Sequence, residues 1–527
     1  MLAINEVIEQ RIKQLEAEAA KEMSVVRELA IRVSSLGGSV YFVGGLVRDM
    51  FLFPLEKHCH KDIDIEVHGV EGKSLESILE ELGEVTYYGE SFGVYGLKGY
   101  GIDIALPRTE KLTSSAREVM AREGTPPAHR DFEVSVDPKM GTMAAARRRD
   151  FTVNAMMVDV MSHELVDHYG GLRDIAERVI RHVDEETFVD DPLRVLRGAQ
   201  FASRFGFTVV DETIRLFARM DLSNLARERV YEEVKKALLL GKRPSVFFEV
   251  LRKADKLEFW FPEVAALIGV EQPPKYHSEG DVWNHTMLVL DKAAARRDSG
   301  AVSDKALLMW SALCHDLGKV NTTTNNDGVI HAYGHENSGI PIAGDLLGRL
   351  TNERRLISNV QNIIKTHMRP NILAAQNSSV KATNKLFDEA CDADVLLAIA
   401  ASDREGSLLS DEARGAASGV DYEGFLSARL AVYRERMAMP HVTGLDLLAA
   451  GVLPGKKCGE LLKYAHSLRL AGVPYEEALE RVLGRVNKKD GEERDGNRDG
   501  NYDGNRDDNC DGNCSGNRDG NRDGNLK

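Results

Sequence analysis

No apolar run in the sequence approaches the ~20 residues of a membrane-spanning helix, which argues against a helical membrane protein. Cysteine is scarce: six in 527 residues, with no evident framework, so reduced thiols and a cytoplasmic home are expected. A signal-peptide layout is missing too, since Glu6, Glu9 and Glu16 put acids near the start. There is no surplus of positive charge either. Net charge is −15, which argues against blanket nucleic-acid affinity. It leaves room for a local basic surface, which is what counterion release requires, and Arg147-Arg148-Arg149 is one such concentration. What is present is 43% hydrophobic and 29% charged residues, a globular composition with length for roughly three domains.

The stretch Val40 to Val67, VYFVGGLVRDMFLFPLEKHCHKDIDIEV, reads as strand, glycine turn, helix start, loop and strand. Gly44-Gly45 lets the backbone turn and approach a ligand closely, and the helix that follows points free N–H groups at that approach. Arg48, in the first turn, adds a planar fork of donors. In KDIDIEV the alternation puts Asp62 and Asp64 on one face and Ile63 and Ile65 in the core. Two carboxylates one strand period apart, facing a phosphate-binding turn, suit Mg²⁺ held against a nucleoside triphosphate. The plainer alternative is an exposed polar strand edge, and a D-x-D pair alone would not exclude it.

Around this stretch, residues 4 to 35 read as helix with Ile4, Ile8, Ile12 and Leu15 on one stripe. LESILEEL (75–82) reads as a helix, and Gly93 to Leu97 and Gly101 to Ala105 as strands. Asp103 alternates against Ile102 and Ile104 and can face the same cleft as Asp62 and Asp64, or be a solvated strand residue. Pro107 to Met143 is polar and poorly periodic, long for a connector. ARRRDFTVNAMMVDV follows, where Arg149 can meet a triphosphate, an RNA end, or only solvent. Asp190-Asp191-Pro192 starts a helix with a capping acid and an early proline. That helix carries Asp191, Arg194, Arg197 and Gln200 along one drifting face, with Leu193, Leu196 and Phe201 opposite. RERVYEEVKKAL (227–238) is a further amphipathic helix.

GGLVRD with KDIDIEV, RRRDFTVNA, DDPLRVLRGAQFASRFGF and ERVYEEV resemble, in order, the motifs of class II tRNA nucleotidyltransferases, the CCA-adding enzymes; bacterial poly(A) polymerases share this head. The motifs cover about residues 40 to 240. The resemblance implies an α+β chain: a polymerase-β-type head with a mixed sheet, then helical neck, body and tail segments. It implies Asp62 and Asp64 as Mg²⁺ carboxylates, Asp103 as the third acid, and Gly45, Arg48 and Arg149 as nucleotide-binding residues. It also implies attack of a tRNA 3′ hydroxyl on the α-phosphate of CTP or ATP. The DDPLR helix adds a chemical argument. Cytosine and adenine both present an exocyclic amine beside an acceptor ring nitrogen, which a carboxylate and a guanidinium can read together. Asp191 and Arg194, one turn apart, offer that pair, with Arg197 beyond them among the expected nucleotide-binding residues. Asp191 as a plain helix cap and Arg194 as a solvated arginine is the competing view. Where Gln200 stands, similar family members often carry another arginine.

A second constellation begins near Tyr276. His285 lies in DVWNHTMLVLD, His315-Asp316 in ALCHDLGK, His335 in AYGHENSG, His367 in IIKTHMRP and Asp403 in AASDREG. Imidazoles and carboxylates on successive helices are first-row metal ligands. The spacing resembles the dinuclear form of HD phosphohydrolase domains, which implies a divalent first-row transition metal on these six residues. Bacterial CCA-adding enzymes with an attached HD domain resemble the whole arrangement, and there the domain implies phosphatase, 2′-nucleotidase and 2′,3′-cyclic phosphodiesterase activity. His277, His331 and Cys314 fit no ligand slot and read as structural or supporting.

The expected organisation is N-terminal helices over 1–36, the catalytic head over 37–170, a neck over 171–265, the HD domain over 266–430, and a helical C-terminal unit over 431–487. The DGN-repeat tail over 488–527 carries almost no apolar residues and is expected to be disordered. The expected partners are tRNA, CTP and ATP, with no membrane. Poly(A) addition or partial CCA addition would use the same residues, and a phosphohydrolase whose head only binds RNA is a third reading.

Overall fold

The computed structural model describes residues 4–54, 63–87, 93–112, 132–300, 302–410 and 420–492. They fall into two compact units, 1–434 and 435–527. In the first, a mixed seven-stranded sheet carries the strands in the order Val85–Tyr87, Val94–Leu97, Ile102–Ala105, Ile63–His68, Ser39–Val43, Met157–Asp159, Leu165–Val166. The Ile63–His68 strand pairs antiparallel with Ser39–Val43 and parallel with Ile102–Ala105. The parallel register sets Asp64 opposite Asp103 and Ile65 opposite Ile104. Partners in register point to the same face, so the isoleucines are buried and the two carboxylates share the other side.

The N-terminal segment is helical over the expected range and breaks once. It forms two helices, Ile4–Glu18 and Ala20–Ser35, with Ile4 exposed while Ile8, Ile12 and Leu15 are buried. No breaker residue sits at Ala19, so the reason is tertiary. Buried Arg11 donates from Nε to the Met50 carbonyl (3.2 Å) and from Nη2 to the Pro54 carbonyl (2.9 Å), anchoring the first helix to the end of Gly45–Leu52. The second helix packs instead on Gly72–Leu82 and the edge of Ser39–Val43. The polar stretch after Pro107 also holds regular structure: Arg108–Leu112 pairs antiparallel with Phe132–Val136.

Beyond the sheet the first unit is helical. Leu193–Phe205 packs between Arg227–Leu240 and Ser245–Lys253, with Phe151, Phe188, Phe201, Phe205 and Phe217 making edge and stacked contacts beside it. Arg227–Leu240 then lies against the helix Lys305–Cys314, where Tyr231 stacks on Trp310 at 5.9 Å. Arg297, on the helix Val282–Asp298 and 2% exposed, donates to the Leu238 and Gly241 carbonyls that end the Arg227–Leu240 helix. The second unit has its own small core, built from Val442, Leu447, Leu461, Leu468 and Val482 on the helices Gly444–Ala449, Lys456–Ala471 and Tyr475–Glu492 and the loop ahead of them. Thr443 and Asp446 form a reciprocal capping box at its first helix. The last helix continues past Lys488 to Glu492; the rest of the expected disordered tail lies outside the described residues.

Candidate active sites

At the end of Ser39–Val43 the chain turns at Gly44, whose φ of +67° favours glycine. A Cβ there would stand 3.4 Å from Arg149 Nη1 and 3.6 Å from Asp64 Oδ2. The turn, the arginine and the acid are therefore one site. Of the Gly44-Gly45 pair expected to make the turn, Gly44 has the unusual backbone and the close approach, while Gly45 opens the Gly45–Leu52 helix. Asp103 sits beside Asp64 in register and is exposed. Asp62, the other expected metal carboxylate, lies outside the described residues.

Glu66 had not been singled out. It continues the Asp64 face by one strand period and is fully buried. Its carboxylate takes His68 Nε2 at 2.9 Å, Arg148 Nη2 at 3.0 Å and Arg149 Nη2 at 3.4 Å. Burial pushes this carboxyl upward, but the His68 hydrogen bond and the two arginines outweigh it and hold it down to about 2. A permanent anion at Glu66 thus steers Arg149 along the acidic face. The alternation that marked Asp64 would also have marked Glu66.

The remaining expected nucleotide-binding residues are well held. Arg48 is buried, bonded to Asp49 (2.8 Å) and to Asn154 Oδ1 (2.8 Å), and lies over the Phe205 ring at 4.6 Å. Arg194 donates to the Thr187 and Arg148 carbonyls at 2.8 and 2.7 Å, which fixes its plane. Arg197 donates to Asp150 Oδ2 from Nε and Nη2 at 2.8 and 2.7 Å. Asp191 caps the Leu193 N–H at 3.1 Å through one oxygen and meets Arg229 at 3.0 Å through the other. Capping is therefore one of its roles. Gln200 is 1% exposed with its amide nitrogen unpartnered, so it belongs to the core rather than to the open face of its helix.

The second cluster gathers all six expected residues. Each histidine donates from Nδ1: His315 to the Ala312 carbonyl (2.9 Å), His335 to Ala332 (2.8 Å), His367 to Ile364 (2.6 Å), and His285 to the Glu279 carboxylate (3.1 Å). A carbonyl can only accept, so the Nδ1 proton is fixed and Nε2 faces inward. There, His285 and His315 approach Nε2 to Nε2 at 3.3 Å, and His335 and His367 at 3.4 Å. Neutral imidazoles would point lone pairs at each other at both places; a metal cation between them resolves this, as a second proton on His285 does for the first pair. Asp316 lies between the pairs, Oδ2 3.2 Å from His315 and Oδ1 3.3 Å from His335. Asp403 Oδ1 joins the first pair, 3.1 Å from His285. The residues thus divide into two groups, His285–His315–Asp403 and Asp316–His335–His367, each able to hold a metal ion.

Electrostatics agree with a cation site. His367 is lowered to about 4 by burial and by His315, which keeps it neutral. His285 is desolvated too, but its bonds to Asp403 and Glu279 raise it to about 9. Two supporting residues were not legible beforehand. Glu279, 2% exposed at its side chain, ties His285 to His277 and to the Leu408 N–H (2.9 Å). Lys319 Nζ lies 2.7 Å from Asp316 Oδ2.

A nucleotidyltransferase head followed by an HD metal cluster is the class these two sites define. A family model described as the poly A polymerase head domain matches residues 40–181, a probable RNA and SrmB-binding site of polymerase A matches 206–268, and an HD domain matches 282–404. The multifunctional CCA protein of Pasteurella multocida is 38% identical over 308 residues, covering 57% of this chain and 67% of the relative. That of Shewanella frigidimarina is 36% identical over 361 residues, covering 66% and 78%. The chain belongs to the multifunctional CCA protein family. Among solved structures, the Thermotoga maritima CCA-adding enzyme complexed with tRNA aligns with a TM-score of 0.59 at 21% identity, covering 91% of this chain and 98% of its own. The Bacillus stearothermophilus CCA-adding enzyme in complex with CTP gives 0.54 at 19%, covering 90% and 98%. At these identities the likeness is one of fold.

Proposed function

We propose that this protein adds the 3′-terminal CCA to tRNA from CTP and ATP without a nucleic-acid template, and that its HD site hydrolyses phosphoesters at tRNA ends. The observation that carries the first activity is the in-register Asp64–Asp103 pair, with Asp64 against the Gly44 turn and Arg149. The tRNA 3′ oxygen forms a bond to the α-phosphorus, the α–β bridging bond breaks, pyrophosphate leaves, and the hydroxyl proton passes to solvent. Mg²⁺ held by Asp62, Asp64 and Asp103 would supply charge stabilisation at the attacking and leaving oxygens. Arg149, held by Glu66, would bind triphosphate oxygens. Arg194, its plane set by two carbonyls, offers its remaining donors to a base ring nitrogen while Asp191 accepts from the exocyclic amine. Guanine and uracil would leave that pair unsatisfied, at roughly 1–3 kcal/mol per group. A reducing, cytoplasmic setting fits both the tRNA substrate and the free thiols of Cys314, Cys391 and Cys458.

The hydrolase activity rests on the facing Nε2 pairs with Asp316 between them. The four histidines, Asp316 and Asp403 would hold two first-row divalent ions, which supply an activated water when bound. Incubating the protein with tRNAs lacking all, part or none of the CCA end, with CTP and ATP separately, tests the first reading. Incorporation of C, C and A in order is expected. A failure to incorporate on any of them would leave only the hydrolase, and unlimited A addition would make it a poly(A) polymerase. Equal phosphodiesterase activity in wild type and His315→Ala would rule out the HD site.

A further inference from the structure

Just ahead of ligand His335, the strands Thr324–Asn326 and Val329–His331 form a hairpin through Asp327 and Gly328, both at positive φ. Residues 324–329 are exposed, so the hairpin adds nothing to the core. At its end the His331 and Tyr333 rings stack at 4.8 Å and 17°, and Tyr333 is 80% exposed. A lone surface tyrosine is ordinary. This one differs in having a coplanar partner on one side, an open face on the other, and a position fixed relative to the metal cluster. The Ala332 carbonyl, between the two rings in sequence, accepts the His335 Nδ1 proton at 2.8 Å. Tyr333 is two residues from His335, a Cα separation of at most ~7 Å. The hairpin is also tied through Asn325 to Glu271 (3.0 Å), and the adjoining Gln272 accepts from Lys319, the lysine on Asp316. Gln272 is 4% exposed and its amide nitrogen has no partner, leaving a buried donor beside the cluster.

We infer that the His331–Tyr333 stack is the base platform of the HD site, the surface on which the nucleoside part of its phosphoester is recognised. The inference rests on reading the six-residue cluster as a phosphohydrolase. Aromatic faces accept any base, and the ribose supplies the spacer between a stacked base and a phosphate at the cluster. Lys319 and the Gln272 amide are placed to donate to that phosphate.

The test compares wild type, Tyr333→Ala and Tyr333→Phe, loaded with Mn²⁺ as the probe metal. Three substrates are used: adenosine 2′,3′-cyclic phosphate, an RNA oligonucleotide ending in the same group, and the base-free methyl riboside 2,3-cyclic phosphate. The alanine variant is expected to lose ~10-fold in preference for adenosine over the base-free substrate, through KM, while phenylalanine retains it. A loss confined to the oligonucleotide assigns the platform to RNA ends; a loss with the mononucleotide alone assigns it to free nucleotides. A wild type without base preference, or a parallel fall on all substrates in Tyr333→Ala, overturns the inference. If wild type hydrolyses none of them, the hydrolase reading fails, and binding of 2′-AMP to chains that also carry Arg194→Ala, which weakens the base site of the head, decides the platform by itself. Weaker binding by Tyr333→Ala then supports the stack, and equal binding overturns it.

Discussion

The two acidic centres of this chain are built on opposite plans. The HD cluster draws its ligands from helices and the turns between them, and each imidazole is locked by a hydrogen bond, three of them to a carbonyl three residues earlier. Its members are buried except Asp403 at the rim, and the cluster is complete within the described residues. The head places Asp64 and Asp103 on neighbouring strands, where Asp103 is exposed and arginines line the same face. A buried, pre-oriented donor set suits a metal that the protein holds by itself. An open carboxylate pair suits an ion that arrives with phosphates, as Mg²⁺ does, since it keeps few protein ligands.

Substitutions can break that contrast. Asp64→Ala should have the largest effect, lowering nucleotide incorporation by about 10³-fold while leaving metal content at the HD cluster unchanged. Labelled CTP incorporation beside metal analysis checks both halves, and a variant that loses both would show that the sites are not independent. Next, His367→Ala should lower the metal content after dialysis by about half, since one of the two ligand groups loses a member. Chelation should lower the melting temperature of wild type by several degrees but of this variant by less. Asp191→Ala should relax the choice of CTP and ATP over GTP and UTP by about 10-fold, with a smaller effect on transfer rate; unchanged selectivity would reduce Asp191 to its cap.

The smallest effect concerns pH. Asp150 is buried, which alone would raise its carboxyl, but Arg197, the Asn154 amide and the Phe151 N–H hold it below the ordinary range. A carboxyl depressed in the folded state stabilises fully above its unfolded value of ~4, and the contribution is lost as pH falls through the folded value. Wild type should therefore lose more stability than Asp150→Asn as pH falls below the unfolded value of ~4. Parallel acid-unfolding curves for the two proteins would remove Asp150–Arg197 from the account of stability.

Legibility tracked chemistry rather than distance. Metal ligands are few in type, so His285 through Asp403 could be picked out across 118 residues and are found together. Strand alternation placed Asp64 and Asp103 on one face for the same reason. What a sequence conceals is the partner of a guanidinium. Arg48 finds Asn154 at a separation of 106 residues, and Arg197 finds Asp150 at 47. Nothing local distinguishes an arginine bound for a carboxylate from one awaiting a phosphate. The hairpin of Arg108–Leu112 with Phe132–Val136 was hidden because its strands are short and far apart, so periodicity had too few residues to register. Gln200 read as part of a polar face because the helix stripe drifts, and packing of Leu193–Phe205 on two neighbours buries it.

Arg297 carries a consequence for how this chain can change over generations. Its guanidinium closes the end of the Arg227–Leu240 helix from within the next module, and Tyr231 lays its ring on Trp310 across the same boundary. A truncation after residue 281 would strip two carbonyls of their donors and uncover an aromatic face, so the transferase half would not survive as a clean fragment. Loss of hydrolysis is thus open to this lineage through ligand substitution, such as at Asp403 on the rim. Deletion of the module would require the neck to be rebuilt first.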